Sequence, residues 1–380
     1  MPIFRNLNLK EKLQSLNILK HKTRLVEIIM IGIVIAVIVC TVVYIRGKLV
    51  LKSKDCRALE DKYPKFPTIA SVPSGTGNET YNHNLRDYYI KAAYNCCNPG
   101  DVANSYVDTC ALKNAIKQGA RCLDFAIYSV DNNPVVASST SNSYDVKDTY
   151  NSVPFKTAME VVNNYAFAGS TCPNPNDPLI LHFRLLTKNK PIMATMANTL
   201  YNVLERRLLG KRYSYENQGK NLGALPLQSF LGKVIVIIDR SNPLFENTPL
   251  DEYVNMCSGS AFMRAMRDKD VKFTHDMQEL IQFNKKNMTI VFPDLGDKTV
   301  NPSAALTMQY GCQMAAMSYQ FPSTNLDHYD KLFADAGHAF ILKPADLRFI
   351  PVTINVPPMP PLSHSSRPRE SKTDYYKFVI

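Results

Sequence analysis

The chain has 380 residues, of which 45% are hydrophobic and 20% charged, so it can bury a large core and is too apolar for a disordered protein. Its formal net charge of +11 points to an acidic partner, either anionic lipid or nucleic acid. Much of this excess lies beside one apolar stretch and in the C-terminal tail, which favours a membrane and argues against nucleic acid.

The first predicted element is an apolar helix. Residues 28–45 read IIMIGIVIAVIVCTVVYI, and with Leu25 and Val26 they nearly span a hydrocarbon core of roughly 30 Å at about 1.5 Å per residue. A cleaved signal peptide is the alternative, but the run is long and no small-residue cleavage site follows it. We therefore predict a basic N-terminal segment, residues 1–25, and a single-pass transmembrane helix over residues 26–45.

Basic residues flank this helix on both sides. Six precede it and five follow it: Arg5, Lys10, Lys12, Lys20, Lys22 and Arg24, then Arg46, Lys48, Lys52, Lys54 and Arg57. The positive-inside rule slightly favours a cytoplasmic N-terminus, but the two counts nearly cancel and leave the side of the remaining chain open. Asn78-Glu79-Thr80 matches an N-glycosylation sequon, a short pattern that often arises by chance.

Residues 46–80 are polar and rich in proline, which predicts a linker. From residue 81 to 350, apolar strand-like runs alternate with helical patterns. The predicted strands are Tyr88–Ala93, Cys122–Tyr128, Leu179–Leu185, Val234–Ile238, Thr289–Phe292 and Gln313–Tyr319, and the predicted helices include Pro154–Phe167 and Ile192–Leu209.

This alternation over about 270 residues predicts an α/β domain with a parallel sheet, most simply a TIM-type (β/α)8 barrel. A doubly wound open sheet is the alternative, although the chain has no GxGxxG turn to support it. Residues 351–380 form a proline-rich, basic tail that we expect to be extended.

The nine cysteines contain no CxxC pair, so their spacing does not indicate a zinc site. Buried free thiols are the simplest interpretation. A disulfide or two remains open if the domain faces an oxidising compartment.

Short motifs succeed one another through residues 81–350. They read YYIKAAYN (88–95), RCLD (121–124), PVV (134–136), PFK (154–156), NYAF (164–167) and PLIL (178–181), then FNKK (283–286), GCQMAA (311–316) and FILKPADLR (340–348). In this order they resemble the X and Y halves of the catalytic barrel of phosphoinositide-specific phospholipase C. The gap between the two halves, roughly residues 241–274, is short and lacks the acidic autoinhibitory linker of many relatives.

The resemblance implies a calcium-dependent reaction that needs acid–base groups and a cage of oxygen ligands. In the family, two histidines serve the phosphate and the leaving group, and an asparagine and three carboxylates hold the ion. Here the histidine positions fall on Tyr94 and Ser138. The metal positions fall on Asn95, Asp124, Ala126 and Arg184. The resemblance therefore predicts no confident catalytic residue and a lost Ca²⁺ site, with Asn95 and Asp124 as remnants.

The family's substrate pocket is altered as well. Its lysine pair falls on Ile237 and Asp239, and its inositol-contacting Arg and Tyr fall on Ile290 and Phe292. The remaining candidates for substrate binding are Arg184, Thr274, Phe292 and His182. Arg184 fits either a direct phosphate contact or a structural ion pair with Asp124, and His182 shares its strand face because side chains alternate.

Three functions remain open from the sequence. The first is a membrane-anchored, catalytically inactive phospholipase C-like module that binds a lipid, anionic or inositol-containing, or another partner. The second is an active phosphoric diester hydrolase that cleaves phosphatidylinositol-type lipids by rearranged, calcium-independent chemistry. The third is an unrelated barrel enzyme, which would have to match both halves in order by chance.

Overall fold

The computed structural model describes residues 3–75, 77–215, 221–351 and 368–379. Its helices are α1 (Ile3–Lys62), α2 (Thr109–Lys117), α3 (Phe155–Tyr165), α4 (Ile192–Leu204), α5 (Asp268–Lys272), α6 (Met277–Lys286), α7 (Ala304–Gln309) and α8 (Thr324–Ala336). Its strands are β1 (Tyr88–Ile90), β2 (Ala92–Ala93), β3 (Cys122–Val130), β4 (Asn133–Val136), β5 (Val153–Pro154), β6 (Leu179–Leu185), β7 (Val234–Asp239), β8 (Met256–Ser258), β9 (Met263–Arg267), β10 (Met288–Phe292), β11 (Met314–Met317), β12 (Phe340–Leu342), β13 (Glu370–Lys372) and β14 (Lys377–Val379).

Eight of these strands form one parallel sheet in the order β8-β7-β6-β3-β2-β11-β10-β9. The end strands β8 and β9 are joined by residues 259–262 but share no ladder, so the sheet curls into a nearly closed barrel with one seam. The apolar side chains of these strands and of the helices between them form one large buried core. The predicted TIM-type barrel is thus confirmed.

The structure differs from the predicted elements in several places. The strand predicted over 88–93 is two strands, because β1 pairs with β12 in a separate antiparallel sheet and only β2 enters the barrel. The stretch interpreted as a gap between two halves holds two barrel strands, β8 and β9. Helix α4 ends at Leu204, five residues before the predicted end at Leu209.

Helix α1 extends well past its apolar run. From Arg24 to Lys62 it contains the one stretch of the described chain that is long and apolar enough to cross a membrane, with a mean hydropathy of 3.1. By length and composition alone, a signal sequence passes the same test. Residues 46–62, predicted as part of a linker, continue the helix and lie against the barrel.

Contacts along α1 fix its direction relative to the barrel. Lys48 donates to the carbonyl of Asn104, in the loop that follows β2 at the carboxyl ends of the barrel strands, here called the mouth. Towards the other end of α2, Lys117 Nζ donates at 2.7 Å to the carbonyl of Tyr63, just beyond the end of α1. Residues that precede Lys48 therefore leave the barrel at its mouth.

A disulfide holds this arrangement. Cys56 on α1 and Cys110 on α2 are bonded, with Lys52 and Asp108 forming an ion pair of 2.6 Å beside them. Six of the remaining seven cysteines are buried free thiols, the simplest interpretation of the sequence, and the disulfide is the possibility that the sequence left open. Leu59 is buried one turn farther along α1, so the helix packs on the barrel through apolar, ionic and covalent contacts.

The loops at the mouth bond to one another. Val102 N donates to the carbonyl of Asp297, and Asn104 N donates to the carbonyl of Asp148. Ser138 Oγ donates to the carbonyl of Val102 at 3.2 Å. These bonds tie together three loops, residues 94–108, 137–152 and 293–303, and bury the side chains beneath them.

Residues 349–380 form a second unit. Within its described part, β13 and β14 pair as an antiparallel hairpin. The tail predicted to be extended, residues 351–380, therefore folds back on itself in this hairpin, whereas its residues 352–367 and 380 lie outside the described residues.

Candidate functional site at the barrel mouth

The site is built by the register of two parallel strands. Asp124 on β3 lies opposite His182 on β6, and Ala126 lies opposite Arg184. Because side chains alternate along a strand, His182 and Arg184 share a face with Asp124. All three are buried polar residues, the two on β6 lying next to the carboxylate.

Arg184 forms a two-point ion pair with Asp124. Its Nε lies 3.0 Å from Asp124 Oδ1, and its Nη2 lies 2.9 Å from Oδ2. Nη2 also donates to the side-chain oxygen of Asn95, and the backbone N–H of Asn95 donates to Asp124 Oδ2 at 3.3 Å. The guanidinium thus contacts the side-chain oxygens of both residues that the resemblance assigns to a remnant metal site.

Asp124 and Arg184 stabilise each other's charged forms. Burial by itself raises the pKa of Asp124, but the charge of Arg184 and the hydrogen bonds from His182 and Arg184 outweigh it and bring the pKa to about 2. For Arg184, burial lowers the pKa, and the charge of Asp124 more than reverses this and raises it above the ordinary value. Both groups therefore stay charged at neutral pH.

His182 extends the network to a third strand. Its Nδ1 lies 2.8 Å from Asp124 Oδ1, and its Nε2 lies 2.9 Å from Ser258 Oγ at the end of β8. A hydroxyl, an imidazole and a carboxylate in this order resemble a nucleophile and its base. Here His182 and Ser258 have no solvent-exposed surface, and Asp124 is shared with Arg184.

Aromatic side chains cover the ion pair. The guanidinium carbon of Arg184 lies 4.8 Å from the ring centre of Tyr94 and 5.7 Å from that of Phe292. The two rings lie 5.6 Å apart. Arg267, at the end of β9, donates to the Tyr94 hydroxyl at 3.2 Å and to the carbonyl of Pro293 at 2.8 Å.

The two positions that the resemblance assigns to the family's histidines thus hold groups engaged in packing. Tyr94 stands between two arginines, and the Ser138 hydroxyl is bonded to a backbone carbonyl. Of the substituted pocket positions, Ile237 and Ile290 are buried and apolar, whereas the Asp239 carboxylate accepts from the backbone N–H of Ser241. A cavity beside Tyr94 and Asn95 has only about 10 Å³.

The structure brings together three of the four predicted binding residues: His182, Arg184 and Phe292. Thr274 is half-buried in the loop between α5 and α6, and no hydrogen bond within the described residues joins it to this cluster. Two members of the cluster, Ser258 and Arg267, were missed. Both residues lie at the ends of strands β8 and β9, so predicting them required these strands, and neither strand was predicted.

Potential metal ligands cluster at one place within the described residues. There, one group of three His, Cys, Asp or Glu side chains has its ligand atoms within 4.8 Å of one another, and it consists of Cys56, Asp108 and Cys110. Two of these form the disulfide. At the mouth, Asp124 is surrounded by donors instead of other carboxylates.

Known proteins resemble this chain in sequence and in fold. Residues 81–240 match the family model "Phosphatidylinositol-specific phospholipase C, X domain". Human 1-phosphatidylinositol 4,5-bisphosphate phosphodiesterase zeta-1 is 23% identical over 323 residues, covering 70% of this chain and 50% of that protein. The chain thus spans about half the length of the curated relative it matches.

Solved structures show the same fold. PLC21 from L. pealei superposes with a TM-score of 0.58, and PLC21 from S. officinalis with a TM-score of 0.57. Each is 16% identical to this chain, and each alignment covers 71% of this chain and 38% of the matched one.

Proposed function

We propose, from the premise that this chain is a divergent member of the phosphoinositide-specific phospholipase C family, that it is a membrane-anchored binding module without the family's calcium-dependent hydrolysis. Its ligand is a lipid, anionic or inositol-containing, or a partner at the membrane surface. Three features of the structure support this function: the Arg184–Asp124 ion pair, the state of the acid–base groups and the direction of α1.

The Arg184–Asp124 ion pair is the observation that carries the proposal. Calcium takes six to eight oxygen ligands, several of them carboxylates. Here the remnant oxygens of Asn95 and Asp124 accept hydrogen bonds from a guanidinium that is itself buried against them. A cation entering this position would meet a fixed positive charge at short range, so the residues present do not fit calcium.

The acid–base groups give a second line of support. General acid–base catalysis requires groups that can gain and lose a proton beside the reacting atoms. Neither Tyr94 nor Ser138 supplies an imidazole, and Ser138 is bonded to a backbone carbonyl. His182 is fully buried between Asp124 and Ser258, so a lipid phosphate has no route to its ring.

The direction of α1 supports a location at a membrane. If the apolar run spans a bilayer, the mouth faces that bilayer, because α1 leaves the barrel at the mouth. The mouth loops carry exposed apolar side chains at Val146, Leu295 and Val300. Exposed lysines, Lys188 and Lys298, lie in the mouth loops as well, a combination that suits an anionic bilayer surface.

The activity can be tested directly on the anchored protein. The full chain is reconstituted into vesicles that contain phosphatidylinositol, and release of inositol phosphate is measured with Ca²⁺ and with a chelator. We expect no release above protein-free vesicles in either condition, while an active phospholipase C assayed in parallel shows that the substrate is accessible. Calcium-dependent release would overturn the proposal.

A second function has one specific observation in its favour, the Ser258–His182–Asp124 chain of hydrogen bonds. This function is calcium-independent hydrolysis of a phosphatidylinositol-type lipid by rearranged chemistry. It predicts release that persists in chelator and is lost in Ser258→Ala. The same vesicle assay therefore separates both functions.

A further inference from the structure

The cysteines are distributed as expected for an oxidising environment. All nine lie in described residues: two form the Cys56–Cys110 disulfide and seven are free. Six of the free thiols, Cys96, Cys97, Cys122, Cys172, Cys257 and Cys312, are buried in the barrel. The remaining one, Cys40, is exposed but lies within the apolar run. Disulfides persist in oxidising compartments, where an exposed free thiol would be a liability.

The disulfide also bears on an orientation that the charges leave open. Cys56 follows the apolar run, which ends at Ile45, and it is bonded to the barrel itself. The barrel and the C-terminal part of α1 must therefore share one side of the membrane. A disulfide favours the oxidising side, which would leave the N-terminal segment in the cytosol.

The Asn78 sequon lies on this same side. Asn78 is partly exposed and begins a short 3-10 turn, and its side-chain oxygen accepts from the backbone N–H of Thr80 at 3.1 Å. Glu79 and Thr80 are both exposed. A glycan attached here would extend into solvent.

A second sequon, Asn287-Met288-Thr289, provides a contrast within the same chain. Met288 and Thr289 are fully buried in β10, and the Thr289 hydroxyl donates to Asn284 Oδ1. The side-chain oxygen of Asn287 accepts from Asn221 at 3.0 Å. A glycan on Asn287 would have to displace this packing.

We propose that the barrel lies on the non-cytosolic side of its membrane and carries one N-linked glycan, at Asn78. This modification site rests on the membrane-insertion part of the proposed function and is independent of catalytic inactivity. It follows from the covalent link between the helix and the barrel together with an exposed sequon on that side.

The test uses the full chain, synthesised in the presence of endoplasmic-reticulum microsomes. Mobility in denaturing gels is compared before and after digestion with peptide N-glycosidase. We expect a single glycan on the wild-type chain and on Asn287→Gln. Thr80→Ala should abolish it and Thr80→Ser should retain it, because serine also completes the sequon. An unglycosylated wild-type chain, or a glycan that persists in Thr80→Ala, would overturn the proposal.

Two further readouts separate this inference from the proposed anchor. Alkaline extraction of the microsomes should leave the chain in the membrane; a glycosylated chain that is released would contradict the anchor while leaving the glycan at Asn78 intact. A thiol-reactive mass label on the denatured chain should add seven adducts before reduction and nine after it. Nine adducts without reduction would contradict the oxidising compartment.

Discussion

Asp124 accepts hydrogen bonds from Arg184 and His182 and from the backbone of Asn95, in a position without solvent exposure. A buried ion pair adds little net stability compared with apolar residues of the same volume, but removing one partner is costly. The charges at the mouth are therefore interdependent. Each stabilises a neighbour that would be expensive to bury alone.

Replacement of Asp124 by Asn should destabilise the protein by about 3–5 kcal/mol, because Arg184 is left buried without its counter-charge. The double variant Asp124→Leu/Arg184→Met should recover most of this loss. Thermal unfolding of the full chain in detergent measures both. Equal destabilisation in the single and double variants would contradict a mutual ion pair.

The same pair makes a pH prediction. The pKa of Asp124 falls from 3.8 to about 2 on folding, so its contribution is complete above about pH 4 and is lost as the pH falls towards 2. We expect the wild-type melting temperature to fall more steeply across this window than that of the double variant. Parallel acid profiles would show that Asp124 is not stabilised as an anion.

Lys343 is a second buried charge, outside the site. Its Nζ donates to the Asn284 carbonyl at 3.1 Å, and burial lowers its pKa to about 7 from 10.5. The unfolded chain therefore binds a proton that the folded chain lacks, and stability from this group rises with pH above about 7. Relative to Lys343→Met, the wild type should gain about 1 kcal/mol between pH 7 and 8 in chemical unfolding. A constant difference across this range would contradict the prediction.

At the scale of elements, the docked part of α1 depends on its covalent link. The disulfide joins residues 54 positions apart, and closing a loop of this length is worth about 4 kcal/mol in the chain-entropy model. Cys56→Ala/Cys110→Ala should lower the melting temperature and expose residues 46–80 to limited proteolysis. Cys40→Ala, on the same helix but outside the disulfide, is the matched control. Unchanged proteolysis in the double variant would show that noncovalent contacts suffice.

The strands that the sequence predicted best are mostly apolar, as in β6 and β7, whose residues are almost all buried. The missed elements lack this signal. Strand β8 has three residues, and β9 reads MRAMR, with two arginines in a strand that is only partly buried. The polar end of α1 resembled a linker because its helical state is stabilised by packing on the barrel and by the disulfide, both of which are long-range.

The candidate site, like the secondary structure, was predictable only in part. The resemblance assigned Arg184 and Asp124 to neighbouring metal positions, and simple charge complementarity suggested their pairing. The contacts of His182 with Ser258, and of Tyr94 with Arg267, could not be foreseen because both partners come from the missed strands. Prediction failed where a side chain meets a partner that is distant in sequence and carried by a short strand.

At the scale of the whole chain, the direction of α1 can be tested by fluorescence, because the protein contains no tryptophan. A single tryptophan at Leu295 or Val300, both exposed in a mouth loop, should be quenched by brominated lipids in vesicles that carry the full chain. Phe66→Trp, at an exposed position beyond the far end of α1, is the control and should stay unquenched. Quenching only at position 66 would show that the mouth faces away from the bilayer.

The seam between β8 and β9 divides the barrel into two contiguous stretches of chain, which share no strand ladder there and are connected by residues 259–262. At the β9 end of this connection the carbonyl of Phe262 accepts from the backbone N–H of Met288 in β10. Gly259, at the β8 end, is exposed, adopts a φ of +75° and enters no strand ladder, so the surface turn begins there. A nick or an inserted peptide at this point would break no inter-strand hydrogen bond of the barrel. The two fragments should therefore remain associated after cleavage, which makes this turn a natural place to split the protein into complementing parts.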